Sequence, residues 1–203
     1  MKKYFRRGFL IAAMFFVATT YTGAYFSDSV SVSGNTFATG VWVTPGRIVI
    51  NEVLYDSIES GTDTQYEWVE FYNAGGTAID MTGYRLSDGP SEGTFVFPSF
   101  SLNPGDYAVY AGNRDAFFSH YNFYPDFSGS SIALGNTGDD LGLYDASLAV
   151  IDGIAWGDRA FPGVISHPGV SAAGHSIVRS PSGADTGDCS VDFIDQSSPI
   201  PGA

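Results

Sequence analysis

RIVINEVLY (Arg47 to Tyr55) and QYEWVEFY (Gln65 to Tyr72) are β-branched and aromatic runs, the composition that fits a pleated, half-buried surface. Similar short runs follow at Gly83 to Leu86, Thr94 to Phe97, Tyr107 to Tyr110, Ile132 to Leu134, Asp140 to Tyr144, Ala149 to Ala155 and Ser176 to Arg179. Between them lie Asn-Ala-Gly-Gly (73–76), Ser-Asp-Gly-Pro (87–90), Asn-Pro-Gly-Asp (103–106) and Gly-Asn-Thr-Gly-Asp (135–139). Such segments turn the chain, since Gly and Asn accept positive φ and Pro fixes φ. Strands at this spacing, with no long helical period, predict an all-β antiparallel sandwich or barrel. One short helix is expected over Asn113 to Tyr121 (NRDAFFSHY), with Asn113 as N-cap and Phe117 and Phe118 turned inward. Asp80-Met81-Thr82-Gly83 and Asp139-Asp140 read as turns. No repeat, low-complexity tract or second domain stands out. The organisation expected is a leader (1–24), an extended arm (25–46) and one sandwich domain (47–203).

The chain has 203 residues, which suits one domain of ordinary size with a terminal appendage. Its 25 Gly, 10 Pro and 44% apolar residues describe a globular, turn-rich protein and not a disordered one. There are 22 acidic residues against nine Lys and Arg, and four of the bases (Lys2, Lys3, Arg6, Arg7) lie in the first seven residues. Without that end, 22 acids face five arginines, a formal charge of −17. A surface of that sign repels phosphate, which excludes nucleic acid as a partner of the mature chain. Cys189 is the single cysteine, so an internal disulfide and multi-cysteine metal sites are excluded as well.

The leader has a basic start (MKKYFRR), an apolar run from Gly8 to Ala18, and small residues at Thr22 and Ala24. That is the layout of a secretory signal peptide. The expected location is therefore extracellular or at the cell surface, with no stable membrane span after cleavage. A retained anchor would need about 20 apolar residues, and Thr19, Thr20, Thr22 and Gly23 interrupt this run. Arg6-Arg7-Gly8-Phe9-Leu10 also fits a twin-arginine signal, and Gly8-Phe9 a prepilin cut. Ala24-Tyr25-Phe26-Ser27-Asp28 and Gly34-Asn35-Thr36-Phe37-Ala38-Thr39-Gly40 resemble the exported start of camelysin-like and biofilm-matrix fibre proteins. The zinc-protease chemistry associated with that resemblance has no basis here, because His120, His167 and His175 are isolated and no His-Glu-x-x-His occurs.

A second resemblance covers about residues 47–203. Ile48-Val49-Ile50-Asn51-Glu52-Val53, Glu67-Trp68-Val69-Glu70-Phe71-Tyr72-Asn73, Ile79-Asp80-Met81-Thr82-Gly83-Tyr84-Arg85-Leu86-Ser87-Asp88 and Leu102-Asn103-Pro104-Gly105 are similar, in order and spacing, to the lamin tail domain. Leu134-Gly135-Asn136-Thr137-Gly138-Asp139, Val150-Ile151-Asp152, Ser176-Ile177-Val178-Arg179 and Ser198-Pro199-Ile200-Pro201-Gly202 continue the match. The resemblance implies an immunoglobulin-like β-sandwich, found outside animals in secreted bacterial and archaeal proteins. It supplies no catalytic residues.

Glu52, Glu67 and Glu70 are unusual inside strands, where Glu is disfavoured. One reading pairs them with Arg85 or Arg179 across strands, or bonds them to backbone amides at a loop. The other is a binding cluster of Asn51, Glu52, Glu67, Glu70 and Asp88, offering the oxygen ligands that Ca²⁺ prefers. Trp68 and Val69 belong on opposite faces of one strand, Trp68 in the core. Catalytic constellations fare worse. Asp185-Thr186-Gly187 follows a Pro-Ser-Gly loop rather than the apolar strand an aspartic-protease site needs. No nucleophile elbow or phosphate loop occurs, and Cys189 among Asp185, Asp188 and Asp192 is a poor nucleophile. The expected function is a secreted, non-catalytic binding or structural module whose partner is an extracellular polymer, surface or protein. The alternatives are a self-assembling matrix or fibre subunit polymerising through the arm, and an enzyme with an unrecognised carboxylate or metal site.

Overall fold

A computed structural model of the chain describes residues 44–59, 63–89 and 93–202. The leader, and the arm as far as residue 43, lie outside the described residues. Twelve strands, two α-helices and a short 3-10 turn (Asp63–Gln65) occur among those described: β1 (Ile48–Leu54), β2 (Trp68–Asn73), β3 (Ile79–Asp80), β4 (Arg85–Ser87), β5 (Thr94–Val96), β6 (Ser101–Leu102), β7 (Tyr107–Ala111), α1 (Arg114–Tyr121), β8 (Phe127–Ser128), β9 (Gly138–Tyr144), β10 (Val150–Gly157), β11 (Ser176–Arg179), α2 (Cys189–Asp192) and β12 (Phe193–Gln196). One sheet runs β12-β11-β1-β2-β7-β8, a second β10-β9-β4-β5, and β3 with β6 makes a small ribbon. Apart from the parallel β7–β8 pair, these strands pair antiparallel. The result is the all-β antiparallel sandwich that the strand and turn spacing predicts, of the immunoglobulin-like kind that the lamin tail resemblance implies.

The quoted runs become the centre of the larger sheet. β1 is buried along its whole length. Its Ile50 and Val53 join Val69, Phe71, Tyr110 and Ile177 in the main core, with Leu86, Leu141, Leu143, Ile154 and Trp156 from the other sheet. Each such side chain contributes about 1.5–3 kcal/mol when fully buried. Tyr55 stacks on Trp156 with ring centroids 4.5 Å apart. On the outer face, Leu54, Trp68, Val109 and Ala111 form a second cluster closed by Phe117 of α1. Trp68 and Val69 thus lie on opposite faces, as strand alternation requires.

Asn113 caps α1, its Oδ1 accepting from the amides of Asp115 and Ala116 at 3.0 Å. Phe117 is buried, but Phe118 is at the surface, stacked on Tyr124 at 4.4 Å. Successive helical residues diverge by about 100°, so the inner stripe is Phe117 with Tyr121 four positions on. Ile132 to Leu134 also departs from expectation, being a loop and not a strand. Its Ile132 and Leu134 plug the core, and its amides bond to carboxylates instead of a ladder. Asp139 and Asp140 belong to β9 rather than to a turn.

Local chemistry shapes the turns. Asp80 Oδ1 accepts from the Thr82 amide and hydroxyl, and Gly83 follows at φ 76°. Buried Asn73 donates to the carbonyls of Thr77 and Leu102 and accepts from the Gly75 amide. A Cβ on Gly75 would lie 2.3 Å from Arg47 N and Pro45 O, so only glycine lets this turn pass the segment from Thr44 to Arg47.

Candidate functional site

The five polar residues singled out from the sequence fall into two groups. Glu52 and Glu70 are direct cross-strand neighbours on β1 and β2, beside a β-bulge between Ile50 and Glu52. Asn51 joins them, its Nδ2 donating to Glu70 Oε1 at 2.9 Å while its Oδ1 accepts from Gly183 N. Both carboxyls hold the C-terminal tail. Ile200 N and the Ser176 hydroxyl donate to Glu52 Oε1, and Gly202 N donates to Glu70 Oε2. Burial pushes both groups up despite these bonds, Glu70 to about 7, with the Glu52 charge adding to the rise at Glu70.

Glu67 and Asp88 grip a different segment. Leu134 N donates to Glu67 Oε2 at 2.8 Å, and Ala133 N to Asp88 Oδ2 at 2.9 Å. Together they anchor the loop that was expected to be a strand. Glu67 is pushed up to about 8, chiefly by burial and then by the charges of Asp63, Asp139 and Asp88. Its other oxygen, Oε1, is buried with no hydrogen-bond partner. Among the described residues, no three His, Cys, Asp or Glu side chains are grouped to hold a metal ion. What the geometry brings together is carboxyl with backbone amide. The arginines are engaged elsewhere: Arg85 is exposed, and Arg179 contacts Asp152 at 3.0 Å and Asp192 at 3.4 Å.

Arg179 is the hub of a buried polar knot that sequence reasoning did not anticipate. Its Nε donates to Ile50 O, its Nη1 to Ala184 O, and its guanidinium lies 4.5 Å from the Phe193 ring centroid. Asp192 also accepts from the amide and hydroxyl of Thr186, which makes Asp185-Thr186-Gly187 part of this knot. Cys189 beside it is buried and free, its thiol pushed to about 11 by burial above all. A thiol so rarely ionised is no nucleophile at neutral pH. Ser171, His175 and Asp195 meet near the surface, yet serine and carboxylate both contact Nδ1 of the imidazole. Nucleophilic catalysis needs them on opposite ring nitrogens.

A cleft of about 180 Å³ opens where α1 meets the segment after β1. Ser57, Ile58, Glu59, Tyr66, His120 and Tyr121 are among its lining residues. Glu59 Oε1 lies 3.1 Å from His120 Nε2, and the His120 ring meets Tyr66 edge-on at 5.0 Å. Glu59, Tyr66 and His120 sit in three separate segments, and nothing in their spacing marks them as neighbours. No helix among the described residues is long and apolar enough to cross a membrane.

A family model described as the Lamin Tail Domain matches residues 43–158. Among solved structures, the chain is similar to a DUF4876 family protein from Bacteroides thetaiotaomicron VPI-5482, with a TM-score of 0.55 and 13% identity. That match covers 84% of this chain and 78% of the other, and at such identity it speaks for the fold alone. No curated protein matches the chain by sequence.

Proposed function

The chain belongs to the lamin tail domain family, a family of non-enzymatic immunoglobulin-like modules, and from that premise we propose that it is a secreted, non-catalytic binding or structural module. It works at the cell surface or in the extracellular matrix, against a polymer, a surface or a protein partner. One observation carries this reading: the buried carboxyls that looked most like a reactive cluster each accept a backbone amide from a segment outside the strands. They serve as scaffold, and recognition is left to loops on a rigid sandwich.

A second reading, a matrix or fibre subunit, has its own support. β12 ends the larger sheet, Ile194 on it is 47% exposed, and an outer strand is a template for another chain. The arm of one copy adds as a strand to the sheet edge of the next in this reading.

Light scattering on Tyr25–Ala203, with and without millimolar calcium and at low and high salt, separates the two. A binding module stays monomeric in every condition and co-sediments with an insoluble polysaccharide or a matrix protein. A fibre subunit grows into large species as salt screens the −17 charge, and deleting residues 25–44 abolishes the growth without unfolding the sandwich. Export is checked by expressing the whole chain in a bacterial host and finding Tyr25 as the N-terminus of the secreted product. A chain retained intact inside the cell sinks the extracellular assignment.

A further inference from the structure

A groove of about 480 Å³ opens beside β7, between the β6–β7 turn and the segment that follows α1. Phe100, Asp106, Tyr107, Phe123, Tyr124 and Asp126 are among its lining residues. Its rim is open to solvent: Phe123 is 39% exposed, Tyr124 48%, and both aspartates are exposed. These groups are nevertheless held in place. Asp106 Oδ2 accepts from Asn103 Nδ2 at 2.9 Å, and Asp126 Oδ2 from Val109 N at 2.8 Å. Tyr124 carries Phe118 stacked at 4.4 Å and the Arg114 guanidinium at 3.6 Å from its ring centroid. Phe123 meets Phe117 edge-on at 5.1 Å, and a Cβ on Gly202 would lie 3.6 Å from its Cζ. Oδ1 of each aspartate and the hydroxyls of Tyr107 and Tyr124 have no hydrogen-bond partner among the described residues. Accessible rings and accessible acceptors, each fixed by the fold, make a preorganised binding surface.

We infer that this groove binds an amino-sugar unit of an extracellular polysaccharide, which names the polymer of the binding module and rests on that reading. The sugar ring lays its apolar C–H surface on Phe123 and Phe100. Its hydroxyls reach the Asp106 and Asp126 oxygens and the two tyrosine hydroxyls, and its ammonium adds a charge-assisted bond to an aspartate. Charge selects an amino sugar over other sugars. No lysine or arginine is among the described residues lining the groove, and nearby Arg114 lies 3.4 Å from Asp115. A mature charge of −17 attracts a cationic polymer and repels one carrying sulfates or uronic acids. Chemistry and size select a sugar over a basic side chain. Lysine and arginine heads only donate, whereas the tyrosine hydroxyls also offer a proton that a sugar hydroxyl can accept. The volume lies within the roughly 300–1,000 Å³ of small-molecule sites.

The test titrates isotope-labelled Tyr25–Ala203, by NMR and calorimetry, with the β-1,4-linked trimer of glucosamine, the glucose trimer of the same linkage, and trilysine. Saturable binding of the glucosamine trimer is expected, with shifts concentrated at Asp106, Tyr107 and residues 123–126. The glucose trimer should bind about tenfold or more weakly, the loss expected for one charge-assisted hydrogen bond. Asp106→Asn and Asp126→Asn together should remove that preference. The double variant should melt at the wild-type temperature, since Asn keeps an acceptor for Asn103 Nδ2 and Val109 N. Phe123→Ser should weaken both sugars by about the same factor, roughly tenfold; if it fails to fold, the aspartate variant decides alone. No saturable binding, shifts outside the groove, or an unchanged preference in the aspartate variant overturns the assignment. Equal affinity for the glucose trimer overturns the amino group as the selected feature, and tighter, competing binding of trilysine overturns the sugar in favour of a basic protein. The binding-module reading fails separately, by loss of co-sedimentation with every polysaccharide and matrix protein tried.

Discussion

Glu67 sits where a carboxylic acid is better accommodated than a carboxylate. Its one clear bond, from Leu134 N, favours ionisation, but burial and three neighbouring acids oppose it and the group titrates near 8. In the unfolded chain it titrates near 4.5. Folding is therefore coupled to holding a proton. Its contribution to stability is complete below about pH 4.5 and is lost as pH rises through 8. Glu67→Gln keeps an acceptor for Leu134 N and removes the ionisation. Urea unfolding should show the variant matching wild type near pH 4.5 and exceeding it at pH 9, by at most about 5 kcal/mol, each tenfold change in proton affinity being worth about 1.4 kcal/mol. Parallel pH profiles for the two proteins would show that Glu67 is ionised in the folded state. Arg179 is the opposite case, a charge that burial tolerates because it is surrounded by acceptors. Arg179→Met leaves Asp152 and Asp192 buried without their cation and should cost about 3–5 kcal/mol by denaturant midpoint, part of it recovered by adding Asp152→Asn. A loss below about 1 kcal/mol would mean those acids take up protons at little cost.

Among the elements, the C-terminal tail behaves as a strap over the outer face of β1 and β2. Pro201 is buried, and the amides of Ile200 and Gly202 end on Glu52 and Glu70. Deleting residues 199–203 has two opposed effects on Glu70: the lost Gly202 bond raises its titration point, and the water admitted lowers it. Burial is the larger influence. The midpoint should fall from about 7 toward 4.5 in a carboxyl-carbon NMR titration. A midpoint that stays near 7 would mean that the sheet alone keeps water from Glu70. Elements of this kind were only partly legible in the sequence. β1, β2, β7 and β10 announce themselves because each carries apolar residues at four or more positions, and α1 because Asn113 is a good cap before an amphipathic turn. The two-residue strands β3, β6 and β8 carry no such signal, since pairing with a distant partner defines them. The glutamates stood out as misfits within strands, but their partners lie 67 residues away at Leu134, 132 at Gly202 and 148 at Ile200. Ile132 to Leu134 deceived for a related reason, because apolar loop residues that plug a core have the composition of a strand. The Glu59–His120 cleft was illegible, being assembled from segments that meet only once α1 packs on Trp68.

At the scale of the molecule, the family match and the folding unit differ in extent. The matched residues end at 158, at the close of β10. A chain cut there keeps β1, β2 and the whole four-stranded sheet but loses β11, whose Val178 and Ile177 pair with Glu52 and Val53. The loss removes Ile177 and Phe193 from the main core and uncovers one edge of β1, a strand buried along its whole length. It also removes Arg179, leaving the Asp152 carboxylate on β10 in an apolar interior with only the amides of Ile50 and Gly153. An unpaired buried charge, an opened core and an uncovered central strand each cost a few kcal/mol, and their sum approaches the 5–15 kcal/mol that stabilises a typical domain. Residues 44–158 should therefore show no cooperative melting transition and bind a hydrophobic dye, whereas residues 44–203 should melt cooperatively. If the shorter piece melts cooperatively as well, the segment from Arg159 onward is an appendage to a self-sufficient sandwich, and the Arg179 knot stabilises only the attachment of that segment.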